Sequence, residues 1–146
     1  MKKRFKKFQE LSVEEKKLFV EAYVYAGGYR MALLLFPFKW LTHALVQHPP
    51  SYRPLTLNTK KLAIATKVGR VVGMATANTP WQSACLVQSL TMHKMLKHRQ
   101  ISGVFYLGVK KLNSEMKAHA WTQCDSKILT GKQGYEAFTV VSVFAW

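Results

Sequence analysis

One apolar segment in the second half of the chain places the strongest constraint on the fold. From Ala84 onward there is no Gly or Pro before Gly103, and apolar side chains are dense along the first half of this stretch. Such a pattern predicts a mostly buried helix with Cys85 in its first turn. The start of a helix has unpaired N–H groups and the positive end of the dipole, which favour a thiolate. Position alone favours the alternative, a small core residue.

A histidine later in the chain lies on a predicted strand. Residues Ile101 to Val109 are rich in β-branched and aromatic side chains, which indicates a strand, and residues 110–117 are predicted to form a polar connection. The segment His119 to Cys124 predicts a second strand and Lys127 to Thr130 a third, with a tight turn at Asp125-Ser126. A helix-start cysteine and a strand histidine that are distant in sequence and adjacent in space are typical of cysteine hydrolases. The alternative is a histidine that only packs in the sheet.

Four short motifs resemble a known family. They are Pro80-Trp81, Cys85-Leu86, Leu107-Gly108-Val109 at a strand end, and His119-Ala120-Trp121. Together they resemble the lasso-peptide leader peptidases of the transglutaminase-like superfamily, and more closely the stand-alone protease found where the leader-binding module is a separate protein. The resemblance extends from the basic N-terminus to the last predicted strand, Phe138 to Ala145. It implies an α+β, papain-like cysteine protease fold, with N-terminal helices followed by a small antiparallel sheet.

The resemblance also implies a function. A protein of this family is a cysteine peptidase that removes the leader peptide from a ribosomally made lasso-peptide precursor. Its implied partners are the precursor leader peptide, a separate leader-binding protein and the lasso cyclase, which uses ATP; cleavage itself needs no cofactor. Two other classes stay open: a non-catalytic peptide-binding or scaffold protein of the same fold, and an acyl transferase that uses the same cysteine–histidine pair.

The peptidase hypothesis gives each candidate residue a role. Cys85 attacks the scissile carbonyl, and His119 activates the thiol and then protonates the leaving amine. The oxyanion is expected to accept from the backbone N–H of the nucleophile and from one side-chain amide. Gln82 and Asn78 both precede Cys85 closely enough to supply that amide, and the sequence does not choose between them.

A third group is expected to orient the imidazole of His119. The single Asp of the chain, Asp125, is the nominal choice. Six residues of unbroken strand would place it roughly 20 Å from His119. The residues opposite His119 are predicted near Thr130 to Lys132. The alternatives are therefore a bulge that returns Asp125, a backbone carbonyl, Gln133 or Glu136.

The charge of the chain limits its partners. It carries 22 Lys and Arg against 7 Asp and Glu, a net charge of +15. This balance predicts an acidic partner, which can be nucleic acid, an anionic membrane face or an acidic peptide or protein. No signature of a nucleic-acid-binding motif is present, so nucleic acid is not expected. The N-terminus lacks the apolar core of a secretory signal, which indicates a cytoplasmic protein with free thiols, and the spacing of His and Cys predicts no metal site.

The chain is predicted to form one domain in three parts. These are an N-terminal helical arm (1–48), a Pro-containing linker (49–57) and a transglutaminase-like catalytic core (58–146). Ser12 and Glu15 match a capping box at the start of the arm's main helix, and Pro37 should end or kink it. Arg30 near the middle of the apolar stretch argues against a membrane span. The arm is expected to dock the leader-bound partner or to pack on the core, with peripheral membrane contact as a minor alternative.

Overall fold

Helices come first and most of the sheet follows, as the pattern of the sequence predicts. The computed structural model describes residues 2–43, 45–80 and 84–146, with side chains from Lys6 onward. The helices are α1 (Lys2–Gln9), α2 (Val13–Leu35), α3 (Phe38–Leu41), α4 (Thr59–Thr76) and α5 (Cys85–His98). The strands are β1 (Val46–His48), β2 (Val104–Leu112), β3 (Glu115–Cys124), β4 (Lys127–Thr130) and β5 (Thr139–Ala145), and a short 3-10 turn, Tyr135–Ala137, precedes β5. The predicted α+β class is confirmed.

Local signals fix the ends of the two longest helices. The capping box of α2 is formed: the Ser12 hydroxyl accepts from Glu15 N at 3.2 Å, and the Glu15 carboxylate accepts from Ser12 N at 2.9 Å. The helix ends before Pro37, and the residue preceding that proline, Phe36, is extended. Asn58 caps α4 by accepting from the backbone N–H of Lys61 at 2.8 Å. The predicted capping box and the predicted end of α2 at Pro37 are confirmed.

The described residues form one antiparallel sheet with the strand order β1-β5-β2-β3-β4. Strands β2 and β3 pair without interruption from Val104 opposite Gln123 to Leu112 opposite Glu115. A two-residue turn with positive φ at both positions, Asn113-Ser114, joins them and matches the twist of a hairpin. The predicted polar connection over residues 110–117 is therefore wrong. Most of this end of the hairpin is exposed on both faces, so it lacks the alternation of apolar and polar residues that reveals a half-buried strand.

The largest apolar cluster lies among α2, α4 and α5. Its buried members include Ala22 of α2, with Val68 and Val72 of α4, and Met92 and Met95 of α5. Helix α5 is buried along most of its length, which confirms the prediction of a mostly buried helix. Because a densely packed interior holds side chains and backbone in place, the first residue of α5 has a fixed position relative to the sheet.

Ion pairs connect α2 to α4 and to the end of α5. Glu14 pairs with Lys67 at 3.2 Å, Glu15 pairs with Arg70, and Glu21 pairs with Arg99 at 3.0 and 2.7 Å. All three carboxylates of α2 thus face α4 or the end of α5. Within the described ranges, no helix has the length and apolar character that a membrane span requires.

Candidate active site

Cys85 is the first residue of α5, which confirms its predicted place at a helix N-terminus. The N-cap residue is Ala84, whose side chain has no oxygen to accept a hydrogen bond from the first turn. The backbone N–H groups of that turn therefore lack a cap from their own N-cap residue. The half-buried Cys85 sulfur accepts a hydrogen bond from the backbone N–H of Ala120 at 3.4 Å. This contact places the thiol beside β3, one residue from His119.

On its β4 side, β3 has no paired strand residue at the point where the thiol approaches it. Strand β4 pairs only with the last residues of β3, from Thr122 to Cys124. The main-chain groups of Ala120 on that side are therefore not used by a neighbouring strand, and its N–H reaches the sulfur instead. A shorter β4 thus makes room for the start of α5 against the sheet.

A backbone carbonyl holds the imidazole of His119. The Nε2 atom of His119 lies 2.7 Å from the carbonyl oxygen of Gly131. Because a carbonyl oxygen can only accept, Nε2 carries the hydrogen in this bond and Nδ1 carries the lone pair of the neutral ring. An imidazole in this tautomer has its free basic nitrogen available to take a proton from a thiol.

Residue 131 must be a glycine for its carbonyl to reach His119. It follows β4 directly and has φ of +71°, in the left-handed region. A Cβ atom here would lie 2.3 Å from the carbonyl oxygen of Ala120 and 2.9 Å from Trp121 Cα. The chain can therefore run this close to β3 only without a side chain, and the close approach brings the Gly131 carbonyl to His119.

Aromatic rings limit the movement of His119 on the same face of the sheet. Its ring lies 5.9 Å from the Trp121 ring and 5.1 Å from the Phe138 ring, centroid to centroid. The residue opposite His119 on β2 is Gly108, where a Cβ would meet Phe138 at 2.8 Å and the Trp121 ring at 2.9 Å. The absence of a side chain at Gly108 therefore lets both rings close around the histidine.

A family model described as the transglutaminase-like superfamily matches residues 31–143. The chain belongs to the transglutaminase-like superfamily. This superfamily includes cysteine peptidases and acyltransferases. The match runs from the second half of α2 into β5 and contains both Cys85 and His119, and the predicted transglutaminase-like, papain-like fold is confirmed. Comparisons with curated proteins and with solved structures gave no significant match.

The structure of this transglutaminase-like chain does not bring Asp125 to His119. Asp125 lies at the turn after β3 with φ of +51°, and its carboxylate accepts from the backbone N–H of Leu57 at 3.0 Å. The pairing of β2 with β3 is unbroken between His119 and Gln123, so no bulge there shortens the separation of roughly 20 Å expected along a strand. Asp125 joins the linker to the sheet. The hydrogen-bond partner of His119 is a backbone carbonyl, one of the alternatives left open by the sequence.

Of the two side-chain candidates for the oxyanion site, Asn78 lies within the described residues and Gln82 does not. The Asn78 amide donates to the carbonyl oxygen of Met74 at 2.6 Å, at the end of α4, so it serves as a cap for that helix. Gln82 lies outside the described residues. The backbone N–H groups at the start of α5 are further candidate donors for a negative oxygen near Cys85.

The second cysteine of the chain is in a setting unsuited to nucleophilic chemistry. Cys124 is buried, and burial, with a smaller contribution from the charge of Asp125, raises the pKa of its thiol to about 12. Because the thiolate is the nucleophile, Cys124 stays protonated and inert near neutral pH. Within the described parts of the chain, His, Cys, Asp and Glu form no group of three suited to a metal ion.

A cationic cleft of about 550 Å³ lies next to the candidate site, between α4 and β4. Its lining includes Arg70, Lys127, Lys132 and Tyr135. Lys132 follows Gly131 in the sequence, and the Tyr135 ring lies 5.5 Å from the ring of Trp121. The cleft is therefore close to the residues around His119, and because Arg70 is paired with Glu15, its charge comes from Lys127 and Lys132, which suit an acidic peptide.

Proposed function

We propose that this transglutaminase-like protein is a cysteine peptidase that removes the leader peptide from a ribosomally made lasso-peptide precursor. The observation that carries the peptidase chemistry is the contact of the Cys85 sulfur with the backbone of β3, next to a histidine held by Gly131. The narrower choice of substrate is supported by the resemblance of the motifs around Trp81, Cys85 and His119 to lasso leader peptidases.

The geometry supports a two-stage acyl transfer to water. The thiol proton passes to Nδ1 of His119, and the Cys85 sulfur bonds to the carbonyl carbon of the scissile peptide. The resulting oxyanion accepts hydrogen bonds from the backbone N–H groups at the start of α5. The C–N bond breaks as His119 returns the proton to the leaving amine. His119 then takes a proton from water, the hydroxyl adds to the thioester, and the sulfur leaves as the new carboxylate forms.

The proposal includes partners and a location. The substrate is the precursor leader peptide, delivered by a separate leader-binding protein, and the lasso cyclase acts on the product. The cationic cleft, which contains Lys132 next to Gly131 in the sequence, is compatible with a precursor that has acidic side chains near the cut. The reaction needs no metal or organic cofactor, and its place is the cytoplasm, where thiols are kept reduced.

The decisive experiment measures precursor cleavage by mass spectrometry with the leader-binding protein present. Cys85→Ala and His119→Ala should each reduce the cleavage rate by at least ~10³-fold, because removing one member of a catalytic unit can abolish nearly all of its rate enhancement. Cys124→Ala, the matched cysteine control, should stay within a few-fold of the parent. Cleavage by a folded Cys85→Ala variant at the parental rate would rule out the peptidase proposal.

Isotope-labelled water separates hydrolysis from the acyl transfer alternative. Hydrolysis in ¹⁸O water places one labelled oxygen in the new carboxylate of the released leader. Transfer to an added primary amine would give an amide without that label. A protein that binds the precursor and gives neither product would be the non-catalytic scaffold, for which the missing carboxylate partner of His119 is the motivating feature.

A further inference from the structure

Helix α2 has a second apolar face that the fold does not cover. Its buried residues, Leu18, Ala22 and Ala26, pack toward the core. On the other side, exposed apolar residues recur at intervals of three, four and seven positions, which places them on one face of a helix. This exposed stripe consists of Val20, Val24, Met31, Leu34 and Leu35, each between 56% and 67% exposed. Contiguous exposed apolar surface of this kind marks a protein or membrane contact.

Two aromatic rings extend the stripe beyond the end of α2. Phe36 and Trp40 stack with their centroids 6.0 Å apart and are 47% and 68% exposed. The turn at Pro37 brings these rings together at the end of the helix. Tryptophan in particular favours the boundary between water and the apolar part of a bilayer.

The charges around the stripe are cationic. Glu14, Glu15 and Glu21, the carboxylates of α2, are paired with cations of α4 and α5. Lys17 is exposed on the side of the stripe, and Lys39 is exposed between the two aromatic rings in the sequence. A second copy of the chain would place like charges together, so self-association through this face is opposed.

We propose that the exposed stripe, with Phe36 and Trp40, docks on an anionic membrane surface. Every side chain of the stripe is apolar and none has a hydrogen-bond donor, whereas a protein interface of ordinary size carries about ten hydrogen bonds. A straight apolar row with cations beside it and aromatic residues at one end is typical of helices that lie in the lipid headgroup region. Long lysine side chains can extend from such a face to reach the phosphates.

Vesicle binding provides the test. Sedimentation should show binding to vesicles of phosphatidylglycerol and phosphatidylcholine at physiological salt, and at least ~10-fold weaker binding to phosphatidylcholine alone. The Leu34→Asp, Leu35→Asp double variant should bind the anionic vesicles at least ~10-fold more weakly than the parent. The matched control is the Leu55→Asp, Leu112→Asp double variant, which changes the net charge equally. These side chains are 60% and 49% exposed and lie on other segments, so vesicle binding should weaken by no more than ~3-fold.

Several outcomes would overturn the proposal. An equal loss in both double variants would mean that the net charge of the protein alone attracts the vesicles. Absence of binding to anionic vesicles would also refute it. Loss of binding to the leader-binding protein in the stripe variant, with vesicle binding unchanged, would assign the face to a protein. Because the stripe contains none of the residues assigned to catalysis, precursor cleavage in solution should be unaffected, which separates this test from that of the peptidase.

Discussion

Gly131 contributes to the candidate site through its carbonyl, at a point where the chain passes too close to β3 for a side chain. We expect Gly131→Ala to reduce kcat/KM for precursor cleavage by ~10²-fold or more, because the new Cβ would push the chain away from Ala120 and move the carbonyl from His119.

Gly134 provides the control for backbone strain in that experiment. Its φ is +73°, close to that of Gly131, and a Cβ built on it meets nothing within 4 Å. Gly134→Ala should therefore lower the folding stability by an amount similar to that of Gly131→Ala, and should leave kcat/KM within a few-fold of the parent. Equal losses in the Gly131 and Gly134 variants would show that strain, not the carbonyl, causes the effect.

Asp125→Asn should also leave kcat/KM within a few-fold, because the amide oxygen can still accept from Leu57 N.

The site could be predicted from sequence only where a residue has a local signal. Cys85 starts an apolar helix and His119 begins a segment that predicts a strand, so both positions carry a pattern that can be recognised. Counting from the predicted turn at Asp125-Ser126 places Thr130 to Lys132 opposite His119, a range that includes Gly131. A main-chain carbonyl has no residue type of its own, however, and the shift of the β3–β4 register at Thr122 and Gln123 decides which carbonyl is in reach.

At the scale of elements, α2 shows how tertiary contacts override a local weakness. Gly27-Gly28 lowers the intrinsic helix propensity, yet the helix continues for 23 residues. Packing against α4 and α5 and the ion pairs of its carboxylates stabilise it across the glycines. The sequence predicted the start and end of this helix because caps and prolines act locally. It missed the continuous β2–β3 hairpin because the exposed end has no apolar face.

The three ion pairs of α2 should differ in what they contribute to stability. Arg99 makes two hydrogen bonds to the Glu21 carboxylate, and both side chains are only about a quarter exposed, at 27% and 26%. We expect Glu21→Gln to lower the free energy of unfolding by about 1–2 kcal/mol. The Glu14–Lys67 pair is 71% and 40% exposed, so Glu14→Gln should cost less than about 0.5 kcal/mol. Urea unfolding of both variants checks this, and equal losses would contradict it.

At the scale of the whole molecule, one buried histidine should make the fold sensitive to acid. His93 of α5 lies in the core, and burial, followed by the charges of Lys97 and Lys94, lowers its pKa from 6.5 to about 4. The unfolded chain therefore binds a proton on this residue before the folded chain does. The stability it contributes is present above about pH 6.5 and is lost as the pH falls toward 4.

The expected size of this loss is roughly 2–3 kcal/mol between pH 7 and pH 4, from the shift of the pKa. Denaturant unfolding of the parent and of His93→Gln across this range measures it. The variant is expected to be less stable at pH 7 and to lose less stability on acidification, because it has no imidazole to protonate. Parallel pH dependence in the two proteins would mean that His93 titrates normally in the fold.

The bond between His119 and the Gly131 carbonyl also affects how such a site can change by mutation. A single substitution can remove a carboxylate or amide side chain that binds the imidazole, whereas a main-chain carbonyl is present whichever residue is encoded. Substitution can remove this partner only by altering the path of the chain after β4. A survey that recognises active proteins by the residue types of a triad would consequently count this chain as lacking its third member, although the imidazole has its hydrogen bond.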